Sequence, residues 1–180
     1  FYQKNHYVKG LQNSIVFNMS YEQGACMDIL SIGEPLMEFS EFEPRMYKSG
    51  FGGDTSNFII AASRQNVSTV YHTAIGDDVF GQQFLNLWQS EGINTNYIKI
   101  DSNHHTGLYF ISYSEEGHAF TYQRKGSAAS HFSIKDIDES LFQKTKYFHF
   151  SGISQAISND AIDAIDQAIA YAKKYQVRIT

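Results

Sequence analysis

Two groups of residues in this sequence are of types that do chemistry at short spacing. The first is Gly50-Phe51-Gly52-Gly53-Asp54-Thr55-Ser56-Asn57, followed at once by the apolar run Phe58-Ile59-Ile60-Ala61-Ala62. Glycine, without a Cβ, lets the backbone take positive φ and come close to a ligand. A glycine pair feeding a helix presents free N–H groups at the positive end of the helix dipole, which suits hydroxyls, carbonyl oxygens or anions. A tight turn with a capped helix behind it has the same spelling. The second group is Tyr122 and Arg124, two residues apart in a segment that alternates with aromatics. Side chains two apart on a strand share a face, so the pair would make an aromatic wall with a cation beside it, suited to a small acid. A guanidinium fork can give a carboxylate two parallel charge-assisted bonds. Arg124 reads equally as a solvated outward charge, and Tyr109 as a residue that only packs against its hairpin neighbour.

Other chemistries lack their residues. The 7 histidines show no ligand spacing, so no metal site is expected. There is no Gly-x-Ser-x-Gly elbow and no Gly-x-Gly-x-x-Gly after the first strand, which argues against hydrolase and dinucleotide-binding readings. Cys26 is the only cysteine, leaving no internal disulfide and no thiolate metal cluster. A formal net charge of −5 without a long basic run argues against nucleic acid and anionic membranes as partners. No apolar stretch approaches the length of a transmembrane helix, and a cytoplasmic location is the simplest expectation.

The elements that must position these residues follow from hydrophobic patterning. With 180 residues, 42% hydrophobic and 18% charged, the chain reads as one soluble globular domain. Aromatics reach 15%, more than a small core needs, so some tyrosines are candidates for a site. Ile29-Leu30-Ser31-Ile32-Gly33-Glu34 reads as a buried strand ending at a glycine, where the first strand of an α/β sheet delivers side chains to a crevice. Arg45 to Phe51 is a shorter strand. One of Asp54, Thr55, Ser56 and Asn57 is expected to cap the helix carrying Phe58 to Gln65. Thr69 to Ile75 reads as a second core strand. Val79 to Glu91 is an amphipathic helix with Phe80, Phe84 and Trp88 on one face, capped by Asp78 and stopped by Gly92.

Tyr97 to Ile100 gives a third strand and completes a β-α-β-α-β rhythm, the mark of a parallel sheet covered by helices. The segments 106–113 and 119–124 then flank Glu115-Glu116-Gly117, a hairpin signal for a separate antiparallel flap. The α/β rhythm resumes with a strand from Lys146 to Ser151. The helix from Asp160 to Tyr175 is expected to turn Ile162, Ile165, Ile169 and Ala172 to the core, with Ser158 or Asn159 as its cap.

Read together, several spaced segments resemble the ribokinase-like (PfkB-type) carbohydrate kinases, and more narrowly the 2-dehydro-3-deoxygluconate kinases among them. The matching segments are Asp28 to Glu34, Gly50 to Asn57, Ile75-Gly76-Asp77-Asp78-Val79-Phe80-Gly81, Thr106 to Phe110, Tyr122-Gln123-Arg124-Lys125-Gly126-Ser127-Ala128-Ala129, and Phe150-Ser151-Gly152-Ile153-Ser154. The resemblance implies an α/β/α sandwich, Rossmann-like with a mainly parallel sheet. It adds a small antiparallel β-lid from segments near 36–51 and 106–125, often used for homodimerisation. It also implies phosphorylation of a sugar hydroxyl by ATP with Mg2+. Carried over by position, Gly52, Gly53 and Asn57 contact substrate at the glycine turn. Tyr109 and Tyr122 line the lid side, Arg124 holds a carboxylate end, and Glu38 falls where other members place a sugar-binding acid. Gln65-Asn66 and Gln176 depart from the family pattern at element ends.

Both ends read as cut. Residues 1–26 are expected to be a poorly ordered extension, with Met19 or Met27 as a native start. The family's Asp-x-Asn-x-Arg segment, its Gly-Ala-Gly-Asp stretch carrying the catalytic base, and its nucleotide pocket are expected beyond Thr180. On this reading the domain occupies 27–180, truncated at its C-terminus, and the chain alone is inactive. The alternatives are a fructokinase or other sugar kinase of the same family, or a non-catalytic sugar-binding fragment.

Overall fold

The apolar segment from Met27 to Ile32 is the strand against which the main sheet is laid, with Leu30 and Ile32 buried. The computed structural model describes residues 26–115 and 117–180. The expected extension before Cys26, the candidate start at Met19 and Glu116 of the hairpin turn lie outside the described residues. In chain order the strands are β1 (Met27–Ile32), β2 (Leu36–Glu43), β3 (Met46–Gly52), β4 (Thr69–His72), β5 (Ala74–Gly76), β6 (Lys99–Asp101), β7 (Leu108–Ser114), β8 (Gly117–Gln123), β9 (Thr145–His149) and β10 (Arg178–Ile179). The helices are α1 (Asp54–Ser63), α2 (Val79–Ser90), the short α3 (Glu139–Phe142) and α4 (Gly152–Gln155), and α5 (Asn159–Lys174).

The main sheet has the order β10-β9-β1-β4, all parallel. A second sheet has the order β3-β2-β7-β8. Its two hairpins are antiparallel, but β2 and β7 run parallel, so the flap is mixed and not wholly antiparallel as expected. The reason is geometric. Both strands leave the core side by side, Met37 donating to the Gly107 carbonyl at 2.9 Å, and only their hairpin partners return.

The stretch from Thr69 to Ile75 is two strands and not one. β4 pairs with β1, whereas β5 pairs with β6 in a sheet of its own. Thr73 makes the break: its hydroxyl donates to the Gly33 carbonyl at 2.6 Å, and its own carbonyl accepts from Lys99 at 2.8 Å.

Apolar burial holds helices to both faces. On one side α5 packs against Leu30 and Phe148; on the other, Ile59, Phe84 and Trp88 of α1 and α2 pack around Tyr71. Fully burying one large apolar side chain contributes about 1.5–3 kcal/mol. The Arg64–Glu91 ion pair, just past the ends of α1 and α2, lies at the surface where water screens it, so Phe84 and Trp88 dominate the anchoring. The buried stripe of α5 is Ala161, Ala164, Ile165, Ala168 and Ala172, which lets the helix lie close to the sheet. Ile162, expected in that stripe, is 39% exposed, because it sits about 100° around the helix from Ala161. Ser158 is the cap, accepting from Ala161.

Candidate active site

The first turn of α1 is built differently from the expected capped helix. Gly53 is the N-cap, and no side chain caps it. The polar residues behind it are the first turn itself. Thr55 and Ser56 are buried, Thr55 sharing a 2.9 Å hydrogen bond with the Tyr71 hydroxyl, while Ser56 accepts from the Trp88 indole at 3.0 Å. Their hydroxyls therefore anchor the helix to the core and leave the glycine N-cap open. Gly53 has φ 95°, and a Cβ there would stand 2.4 Å from the Glu34 carbonyl oxygen. Only glycine permits both the φ value and this close approach.

A cleft of about 250 Å3 opens in front of this turn, between the main sheet and the outer one. Gly53, Asn57, Tyr109, Tyr122 and Arg124, all expected at a site, line it together. Gly52 and Glu38 stand behind Tyr109. The phenol donates to the Glu38 carboxylate, and a Cβ on Gly52 would lie 2.6 Å from the same phenol oxygen. Burial and the neighbouring Glu38 push the Tyr109 phenol well above its usual pKa, so it is a neutral donor at any ordinary pH.

β8 ends at Gln123, so Arg124 lies one residue past the strand and is not an outward side chain of it. Its guanidinium carbon lies 5.5 Å from the Tyr122 ring centroid, and Nη2 rests against Oε2 of Glu34. The contact is an ion pair. Arg124 Nε and Nη2 are both buried without a hydrogen-bond partner among the described residues. Tyr109 and Tyr122 pack at 5.7 Å between centroids, so Tyr109 is both a hairpin neighbour and part of the cleft wall.

Sequence reasoning missed Glu34 as a site residue. It is 2% exposed, its amide donates to Ser154 Oγ at 3.1 Å, and Ser127 Oγ donates weakly to Oε1 at 3.4 Å. Burial pushes its carboxyl up to about 7, against the opposing pull of Arg124. The available signal was an acidic residue directly after the glycine that ends the first buried strand, where parallel sheets place ligand contacts. Phe120, also on the wall, was legible as the residue two before Tyr122 on the same strand face. Asp54 completes the charged lining, its carboxylate accepting from the Thr55 amide at 2.7 Å.

The arrangement offers a glycine helix start, the Asn57 amide side chain, aromatic walls, a cation and two carboxylates. It can hold and orient a small polyol or acid. Among the described residues no three His, Cys, Asp or Glu side chains converge where a metal would sit. The cleft carries one cation against two acids, a poor match to a triphosphate.

Residues 27–179 match the pfkB family carbohydrate kinase profile. The chain is 29% identical over 159 residues to 2-dehydro-3-deoxygluconokinase of Thermoproteus tenax, covering 83% of this chain and 49% of that protein. It is 35% identical over 162 residues to the Haemophilus influenzae protein of the same name, covering 84% and 48%. The chain thus spans about half the length of these relatives. The crystal structure of a PfkB protein from Polaromonas sp. JS666 superposes with a TM-score of 0.80 at 24% identity, over 85% of this chain and 54% of that one. The fold is therefore the α/β architecture of the ribokinase-like kinases, and the chain belongs to the pfkB family of carbohydrate kinases.

Proposed function

We propose that this chain supplies the sugar-binding part of a kinase that phosphorylates the terminal hydroxyl of 2-dehydro-3-deoxygluconate. The observation that carries this reading is Arg124, whose buried Nε makes no hydrogen bond among the described residues, at the wall of a cleft that also holds Gly53, Asn57, Tyr109 and Tyr122. The relatives named for this substrate support it. When bound, ATP with Mg2+ would supply the phosphoryl group. The residues of this chain would bind and orient the acceptor, which is most of what protein groups contribute to such transfers. The exposed aromatic side chains of the outer sheet away from the cleft, Phe42 and Tyr113 among them, are the surface assigned to homodimer contacts.

A second reading is a kinase for a neutral sugar such as fructose. It is favoured by Glu34, which already answers the Arg124 charge, and by Asp54 in the same cleft.

Steady-state kinetics of Arg124 variants in an intact enzyme containing this region, on the sugar acid and on fructose, separate the two. Losing a charge-assisted hydrogen bond costs about 1.5–3 kcal/mol, so Arg124→Ala should raise KM for the acid roughly ten- to hundredfold and change fructose little. Arg124→Lys should recover only part, since an ammonium lacks the paired donors. The apparent KM for ATP should hardly move. Equal losses on both sugars would remove the sugar-acid reading.

A further inference from the structure

Glu34 reaches Arg124 across the joint between the two sheets. Its backbone belongs to the turn after β1, and Arg124 follows the last strand of the outer sheet. A carboxylate this enclosed needs compensation, and the guanidinium is the cation beside it. The contact occupies Nη2 from one side only, and Nε makes no hydrogen bond among the described residues. A planar fork held at one corner keeps its plane, and its buried Nε is left needing a partner. Gly107 closes the far side: a Cβ there would lie 3.3 Å from Glu34 Oε1, so the carboxylate has little room to swing away.

We propose that Glu34 is a positioning residue, which holds the Arg124 guanidinium at the cleft wall so that its remaining donors meet the carboxylate of a sugar-acid ligand. This rests on the sugar-acid reading above. Glu34 does not touch the ligand carboxylate; it acts through Arg124. The groups that face it are Arg124, the Ser127 hydroxyl, Asp54 of α1 and, from β4, the phenol of Tyr71.

The test is equilibrium binding of 2-dehydro-3-deoxygluconate and of fructose, by calorimetry, to the wild type, Glu34→Ala, Glu34→Gln, Arg124→Ala and the double variant. Glu34→Ala should weaken the acid about tenfold and fructose little, the scale of one charge-assisted contact. Glu34→Gln, which keeps the reach and an acceptor oxygen, should restore most of that loss. In the Arg124→Ala background Glu34→Ala should cost nothing further. Additive losses, or an equal loss on fructose, would overturn the proposal. A wild type that does not prefer the acid would instead sink the sugar-acid reading, and a carbon-13 titration would still test whether Arg124 is held by Glu34. Should Glu34→Ala not fold, carbon-13 NMR of the Glu34 carboxyl decides: it should titrate higher in Arg124→Lys, whose shorter-reaching ammonium compensates it less. An unchanged titration would show that Arg124 is not held by Glu34.

Discussion

Glu38 and Tyr109 stand opposite each other in the parallel register of β2 and β7, and the phenol of one donates to the carboxylate of the other. The bond fixes a cleft-wall ring from behind, through a residue that does not itself line the cleft. Tyr109→Phe keeps the aromatic wall and removes the donor. The half-buried Glu38 carboxylate then loses a partner, at a cost of about 1–3 kcal/mol. We expect a lower denaturant midpoint and only a severalfold rise in KM for the sugar. A KM effect as large as that of Arg124→Ala would show that the phenol itself binds substrate.

Adjacent glycines should respond differently to alanine. Gly53→Ala forces a side chain into positive φ and against the Glu34 carbonyl, so it should destabilise the fold by about 1–3 kcal/mol. Gly52 has no such backbone demand; its Cβ would displace the Tyr109 ring. Gly52→Ala should therefore weaken substrate binding more than it lowers Tm. Thermal melts beside substrate titrations check the contrast, and matched effects at both positions would refute it.

Much of the site was legible because its members sit at positions where spelling and geometry coincide. The glycine pair, the strand alternation through Tyr122, and Asp78 with Gly92 around α2 each follow from local rules. What was not legible depends on partners distant in sequence. Thr55 and Ser56 look like caps, yet Tyr71 and Trp88 draw their hydroxyls inward. Ile162 looks like core, yet the alanines beside it fit closer to the sheet. Glu34 reads only as the end of a buried strand, and its role shows once Arg124, Ser127 and Ser154 close over it.

Glu34 should leave a mark on stability as a function of pH. Its carboxyl is raised from 4.5 to about 7 in the folded state, so between these values the folded chain holds the proton more tightly than the unfolded one. Its contribution is fully present below the unfolded value and is lost as pH rises through about 7, amounting to about 3 kcal/mol. Glu34→Gln cannot ionise. The variant should gain stability relative to wild type as pH rises from 4.5 to 7, measured by urea unfolding across that range. Parallel pH curves would contradict the assignment.

Asp78 is the chief polar anchor of α2. Its carboxylate accepts from Gly81 N at 2.8 Å and Phe80 N at 3.1 Å, and also from the amide and hydroxyl of Thr106 at 2.7 and 2.9 Å. Burial alone would raise its pKa; these bonds outweigh it and hold the carboxyl below the usual range. Asp78→Ala should cost about 2–4 kcal/mol, more than an ordinary cap, because buried donors of Thr106 lose their partner too. Asp78→Asn should recover part of it. A loss under 1 kcal/mol in urea unfolding would mean the Thr106 contacts are replaced by water.

The partners of Glu34 also set when the cleft can come into being. Its amide bonds Ser154, 120 residues later, and its carboxylate meets Ser127, 93 residues later. Contacts of such separation form only after the intervening chain has been ordered. During synthesis the glycine turn and α1 leave the ribosome long before the residues that complete their surroundings. We infer that the cleft is a late product of translation, and that nascent chains ending before Ser127 should leave the turn after β1 open to proteases. Full protection of that turn in such chains would refute the inference.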